Sequence, residues 1–354
     1  MATITFTNIE IMPWNHFLPA GYLASFSSDK ITLPRRKRIL YVGDLKNCHH
    51  FKAPASRIGA SWNLYSDTTD QVWSQYESAL PQSIEKLTNG TIDAETWARV
   101  LVPFVACLFV RNHDFNQRFE KRLPFHRMQK FISNRNTDNA RLFELQRLLT
   151  PVLSAAWTVI RTFENEEIIT SDLGYGYMQD IRNNVIICTI PLNNNHILQI
   201  TPRRKGIILE LANDKWVPKI NYVEVIKGNG HHLNTGIHTL AQRFVFGSNQ
   251  ETIERYCYRP HNLITPPEPG LAGFIYGRLA VVHEFTWHRL ISFLNCNSLN
   301  PEPRMFDLNP TAYMKGWYPK IFLPTNLPLF PNPFNIINNE IEVELYDVAG
   351  FTDE

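Results

Sequence analysis

The sequence predicts an α+β fold, with an N-terminal helical part packed on a mainly antiparallel sheet and a C-terminal mixed extension. Three observations predict it. Apolar residues recur at helical spacing from Asp67 to about Leu149. From Trp157 the pattern changes to short β-prone runs broken by Asn, Pro and Gly. A proline-rich stretch, "RPHNLITPPEPG" at 259–270, then sets off the rest of the chain. The expected division is a core over 1–258, with helices in 67–150, a sheet in 157–227 and a helix over 233–246. An extension over 259–354 follows, free to pack on that core.

Each element has a local reason. "NHFLPAGYLASF" at 15–26 sets His16 and Pro19 among Phe17, Leu18, Tyr22, Leu23 and Phe26, all expected in the core. "KRILYVGDLKN" reads as a strand, and "PASRIGASWNLYS" as a turn-rich segment that ends in Trp62 and Tyr65. A helix from Asp67 to Leu87 carries Val72, Tyr76, Ala79 and Leu80, and Asn89-Gly90 closes it. Residues 92–110 form the clearest helix, striped by Trp97, Val100, Leu101, Phe104, Val105 and Leu108, with a kink expected at Pro103. A basic helix is expected over 114–132 and another from Asp138 to about Leu149, bent or ended by Pro151. "AWTVIRTF" and "EEIITSD" flank Glu164-Asn165-Glu166 and predict a hairpin. "NVIICTIPL", "HILQITP", "KGIILEL" and "NYVEVIK" complete the sheet, and a helix from Leu233 to Phe246 follows. The tail ends in a strand, "EIEVELYDV".

With 354 residues, 44% of them hydrophobic, the chain can bury one large or two modest cores. Its 35 Lys+Arg against 33 Asp+Glu exert no general pull on nucleic acid or an anionic membrane, so any such contact needs a local basic cluster. Cys48, Cys107, Cys188, Cys257 and Cys296 are scattered without a Cys-x-x-Cys pair, which argues against a zinc ribbon or disulfide scaffold and fits a reducing cytosol. "MATITFTNIEIMPW" lacks the pattern of a signal peptide. "WARVLVPFVACLFV" contains Arg99 and is too short to span a bilayer. A soluble cytoplasmic protein without a membrane partner is expected.

No P-loop, Gly-x-Ser-x-Gly elbow or His-Glu-x-x-His occurs, which disfavours a P-loop NTPase, a common serine hydrolase and a zincin. Weaker constellations remain, each with a plain structural reading beside it. His16 titrates near neutral pH and can serve as acid, base or metal ligand. A lone histidine in such surroundings is more often a satisfied core ring. In "IITSDLG", Asp172 with Thr170 and Ser171 can act as a base or metal carboxylate, or merely cap a turn. Arg111 and His113 can hold a phosphate and move a proton, or belong to a solvated basic face. "PRRKRI" and "TPRRK" are basic knots able to hold phosphate or to be solvated loop ends. His231, His232 and His238 cluster without a carboxylate at ligand spacing, and Asn234 reads as a helix cap. His283 and His288 diverge by about 140° on a helix, which is unsuited to one metal ion.

In order, "NHFLPAGYLASFS", "SRIGASWNLYS", "YESALPQSIEKLTNG", "FVACLFVRNHDF", "WTVIRTFENEEIITSD", "IPLNNNHILQITP" and "HHLNTGIHTLAQRFVFGSN" resemble the family called domain of unknown function 4238. The resemblance covers roughly residues 14 to 250. It implies that His16, Arg57, Tyr65, Glu77, Arg111, Thr170, Ser171, Asp172, Asn234 and Arg243 are the polar positions that matter. Leu173-Gly174 stand where the family has Asn-Pro, which alters the turn. Some members of the family occur in anti-phage defence loci, which implies a toxin-like or defence role.

Two function classes follow. In the first, the chain is a nuclease-like effector with His16, Glu77 and Asp172 as catalytic residues, and with Arg57, Arg111, Ser171, Asn234 and Arg243 on phosphate or substrate. Glu77 and Asp172 would share a divalent metal such as magnesium, and nucleic acid would be the partner. In the second, the same residues form a buried network in a sensor or interaction module with a protein partner or a second copy of the chain. Taken alone His16 reads as a satisfied core ring, the ordered resemblance brings its two readings level, and the enzyme is the preferred class.

Overall fold

The computed structural model describes residues 14–29, 33–62, 64–113, 155–163, 166–180, 185–201, 207–212, 215–224, 230–260 and 305–306, with single positions between 115 and 153. The chain begins with strand β1 (Trp14–His16) and helix α1 (Ala20–Leu23). Strands β2 (Ile39–Asp44), β3 (His49–Pro54) and β4 (Ala60–Trp62) follow. Helices α2 (Asp67–Glu77), α3 (Leu80–Thr88), α4 (Ala94–Thr96) and α5 (Val102–Val110) come next. The β-rich part holds β5 (Ala156–Arg161), β6 (Thr170–Ser171), β7 (Gly176–Asp180), β8 (Val185–Asn193), β9 (His196–Thr201), β10 (Ile207–Ala212), β11 (Lys215–Pro218) and β12 (Asn221–Glu224). Helix α6 (Gly230–Leu240), strand β13 (Phe244–Gly247), helix α7 (Gln250–Cys257) and strand β14 (Met305–Phe306) complete the described chain. The α+β class is as expected from the sequence.

The helical segment breaks where its sequence requires. The helix expected over Asp67–Leu87 is two helices, because Pro81 sits in the first turn of α3, where its missing N–H costs nothing. Ser66 caps α2, accepting from Thr69 N at 3.4 Å. Trp97–Leu101 widen into a π-helical turn just ahead of Pro103, which absorbs the kink expected there. Helix α5 is apolar on every side, and all of it except Phe109 is buried, so it forms the axis of the main core. Trp73, Tyr76, Leu101 and Phe104 meet Trp157, Leu198 and Ile200 of the sheet in that core, together with all five apolar residues expected from the 15–26 segment. Leu142, Leu145, Leu148 and Leu149 are helical and buried, and helix persists at Val152 and Leu153 beyond Pro151.

The strands do not form one sheet. Five of them lie in the order β12-β5-β9-β8-β7, antiparallel except for the β12–β5 pair. Four more run β3-β2-β13-β6, all antiparallel. The hairpin expected across 164–166 is absent, because β5 pairs with β9 and β12 while β6 joins the four-stranded sheet beside β13. The helix expected over 233–246 ends at Leu240. Residues 244–247 are a strand, since both of their edges are taken by β2 and β6. Glycines let α6 cross β7 closely: a side chain on Gly176 would meet the Gly236 carbonyl at 2.9 Å. Strand β14, from the extension, pairs with β10. Of the helix expected over 114–132 only Phe115 is described, and it is helical; residues 203–205 of the second basic knot, His283, His288 and the terminal strand lie outside the described residues. No helix among the described residues is long and apolar enough to cross a membrane.

Candidate functional site

The residues implicated by the sequence gather in two groups. The first forms around Arg111, at the end of α5. Its side chain is 1% exposed and lies beside two aromatic rings, 5.7 Å from the Tyr65 centroid and 5.5 Å from that of Trp73. Nη1 donates to Glu77 Oε1 at 2.5 Å, while Nη2 donates to the His16 carbonyl and to the Tyr65 hydroxyl at 2.9 Å. Tyr65 also donates to the His16 carbonyl. Burial works against the charge on Arg111, but Tyr65 and Glu77 outweigh it and keep the guanidinium protonated. The same burial pushes the Tyr65 hydroxyl up to about 12, against the pull of Arg111.

His16 is seated by its neighbours on β1. Asn15 points the other way, is buried, and accepts from Leu64 N at 3.0 Å and from Tyr65 N at 3.4 Å, which ties β1 to the start of α2. The His16 ring is half-buried, with Nε2 3.2 Å from the Ser56 carbonyl. A carbonyl only accepts, so the neutral ring carries its proton on Nε2 and its lone pair on Nδ1. Burial lowers its pKa most, the Ser56 bond raises it, Arg111 lowers it, and Glu77 and Asp70 raise it. The balance falls below the ordinary value of 6.5.

Asp70 is the member of this group that the sequence reading missed. Burial raises its pKa, Arg111 opposes that, and Glu77 adds to it. The signal was present: Asp70, Trp73 and Glu77 lie one and two turns apart along α2 and so share one face of the helix. Arg57 belongs to the same neighbourhood through Ser56, in a 3₁₀ turn spanning Ala55–Arg57. It is exposed and pairs with no carboxylate among the described residues. His113 is exposed as well, its ring 5.0 Å from that of Phe17.

The second group holds the four-stranded sheet together. Asp172 Oδ1 accepts from Gln242 N at 2.9 Å, and Oδ2 from Arg243 N at 2.7 Å and Phe244 N at 3.0 Å. That carboxylate therefore stops α6 and starts β13. Asn234 accepts from Ile169 N at 3.0 Å and donates to the Glu167 carbonyl at 2.7 Å. Ser171 is fully buried in β6, and Thr170 Oγ1 is 2.9 Å from the Tyr22 hydroxyl. Arg243 donates to Asp44 through Nη2 at 2.8 Å and Nε at 3.2 Å. The Asp44 carboxyl, although burial alone would raise it, is held below its ordinary 3.8 by Arg243 and Asn47. Leu18 and Leu108, from the segments that carry His16 and Arg111, pack against Gly174 beside Asp172. Gly174 takes the left-handed φ of +72° in the turn after Asp172.

Several expected roles change accordingly. Arg111 is not placed to hold a phosphate, because both terminal nitrogens face protein groups and the side chain is sealed from solvent. Asp172 and Asn234 serve the backbone, and Ser171 lies buried in the sheet. The donor pair expected for magnesium is committed elsewhere, Glu77 to Arg111 and Asp172 to backbone N–H groups. Among the described residues no cluster of three or more His, Cys, Asp or Glu could hold a metal ion. His231 instead bonds Tyr256, with Nδ1 3.0 Å from its hydroxyl.

No family model, curated protein or solved structure matches the chain. The chemistry of the Arg111 group is therefore the ground on which a function can be argued.

Proposed function

We propose that the chain is a toxin-like or anti-phage effector of the cytoplasm that performs phosphoryl transfer on nucleic acid, with His16 as general base. The observation that carries this reading is the state of His16. It is a half-buried imidazole kept neutral, beside two carboxylates and next to the turn that presents the exposed cation Arg57. The defence role is supported by the resemblance to domain of unknown function 4238 alone.

In this reading Arg57 meets a phosphate, and His16 Nδ1 takes a proton from the attacking oxygen. The new bond to phosphorus forms as the bond to the leaving oxygen breaks. The Asp70 carboxylate, which raises the basicity of His16, stabilises the imidazolium that forms, and the leaving oxygen takes its proton from water. The proton on His16 then passes to the hydroxide left behind, which restores the neutral ring. Arg111 is a positioning residue: it and Tyr65 grip the His16 carbonyl, and Glu77 balances its charge.

Purified protein incubated with single- and double-stranded RNA and DNA, with and without magnesium, tests the reading. Wild type is expected to cut one of these substrates. His16→Ala and Asp70→Asn should lose at least ~100-fold in rate while still folded, and Arg57→Ala should chiefly raise KM. Uncut substrates throughout, or full activity in His16→Ala, would overturn it.

One observation favours a second reading, a non-catalytic sensor or interaction module with a protein partner or second copy. Asp172, Asn234 and Arg111 all spend their polar atoms on joining distant segments. Under that reading His16→Ala would remain as toxic in cells as wild type.

A further inference from the structure

The ribbon of β1 and β4 carries a feature that the acid–base centre does not use. Trp14 pairs directly with Trp62, and His16 with Ala60. Directly opposed residues share a face, as do alternate residues of one strand, so both tryptophans lie on the His16 face of the ribbon. Asn15, on the opposite face, is buried. Trp14 is 42% exposed and Trp62 62%, with ring centroids 4.7 Å apart and planes at 65°. Opposite His16 stands Ala60, whose side chain is a single methyl group.

A basic strip lies next to this platform. The 3₁₀ turn Arg35–Lys37 sits side by side with the Ala55–Arg57 turn, and Ala55 N donates to the Arg38 carbonyl at 2.9 Å. Arg35, Arg36, Lys37 and Arg57 are all exposed, and none pairs with a carboxylate among the described residues. In a chain with a formal charge of only +2, such an unpaired local cluster is notable. Exposed aromatic faces beside unpaired cations are what successive bases and phosphates of an unpaired strand require. A duplex, whose bases are already stacked, has no use for the rings.

We propose that single-stranded nucleic acid crosses this face, one base stacked on the Trp14–Trp62 pair and its phosphates on Arg35, Arg36, Lys37 and Arg57. A phosphodiester is thereby delivered to His16. This inference rests on the acid–base reading of His16 for its consequence, but not for the binding itself.

Binding is measured by tryptophan fluorescence and anisotropy with oligo-dT, oligo-U and a duplex of equal length. Both single strands should quench the fluorescence and bind more tightly than the duplex. The log–log salt slope should be about −3 for four phosphate contacts. Trp62→Ala should weaken binding about 5- to 150-fold. Arg57→Ala should weaken it and flatten the salt slope, whereas Arg161→Ala, an exposed cation on the five-stranded sheet, should do neither. Equal or tighter duplex binding, or a Trp62→Ala variant that binds normally, overturns the proposal. So does wild-type self-association abolished by Trp62→Ala without nucleic-acid binding, which would make the platform a contact between copies. Strand binding without cleavage would leave this surface standing and sink the catalytic reading. Cleavage indifferent to Trp62, Arg35, Arg36 and Lys37 would do the reverse.

Discussion

Arg111 Nη1 lies 2.5 Å from Glu77 Oε1, and of that pair only the carboxylate reaches solvent, Glu77 being 27% exposed and Arg111 1%. The cation is thus sealed inside the protein with its balancing charge at the mouth. A partner so placed decides whether the buried guanidinium is tolerable.

Glu77→Ala should therefore destabilise the fold by about 3 kcal/mol, since it strands a buried charge. Arg111→Met together with Glu77→Ala should cost less than the sum of the two single changes. Urea denaturation of the three variants measures this coupling. Additive losses would mean that the pair contributes nothing as a pair.

The imidazole of His16 should titrate below 6.5 in an NMR pH series, because the fold favours its neutral form. The stability it contributes is complete above 6.5 and is lost as pH falls through the lower folded value. Asp70→Asn and Glu77→Gln should each move the midpoint further down, since both carboxylates raise it. A midpoint above 6.5 would contradict the desolvated environment described for the ring.

Removing the Asp172 side chain should act on stability rather than on chemistry. Asp172→Ala leaves the N–H groups of Gln242, Arg243 and Phe244 without their acceptor. A loss of about 3 kcal/mol is expected, with Asp172→Asn losing less because one oxygen remains. Thermal melts and the activity per folded molecule separate the two roles. Loss of turnover at unchanged melting temperature would return Asp172 to the reacting centre.

Asp44 should shape the acid limb of stability. Its folded pKa lies below 3.8, so its contribution is present above 3.8 and lost as pH drops through the lower folded value. Asp44→Asn should be less stable than wild type at neutral pH, with the gap closing below 3.8. A gap that persists undiminished into that range would show that the Arg243 pair is not its source.

Much of this architecture is legible locally. The 39–44 strand, the apolar pegs of 15–26, the axial helix and the effect of Pro103 follow from spacing and from the chemistry of single residues. Asp70 was legible in principle, from its place on one helix face with Trp73 and Glu77. Residues 164–166 and 233–246 misled for a physical reason. A turn-like triplet and a helical run state local preference, while the partners that override it, β9 for β5 and β2 for β13, lie far along the chain.

The sequence by itself determined the class, the core-forming residues and the set of polar positions worth watching. It did not determine which of those positions stand together. His16, Tyr65, Glu77 and Arg111 meet because a buried guanidinium must find acceptors wherever the packed helices bring them. Asp172, Asn234 and Arg243 are drawn instead to unpaired backbone N–H groups and to Asp44 at a sheet junction. Those demands arise only once distant segments are buried against one another, so tertiary structure alone divided one list of polar residues into a cluster around Arg111 and a brace.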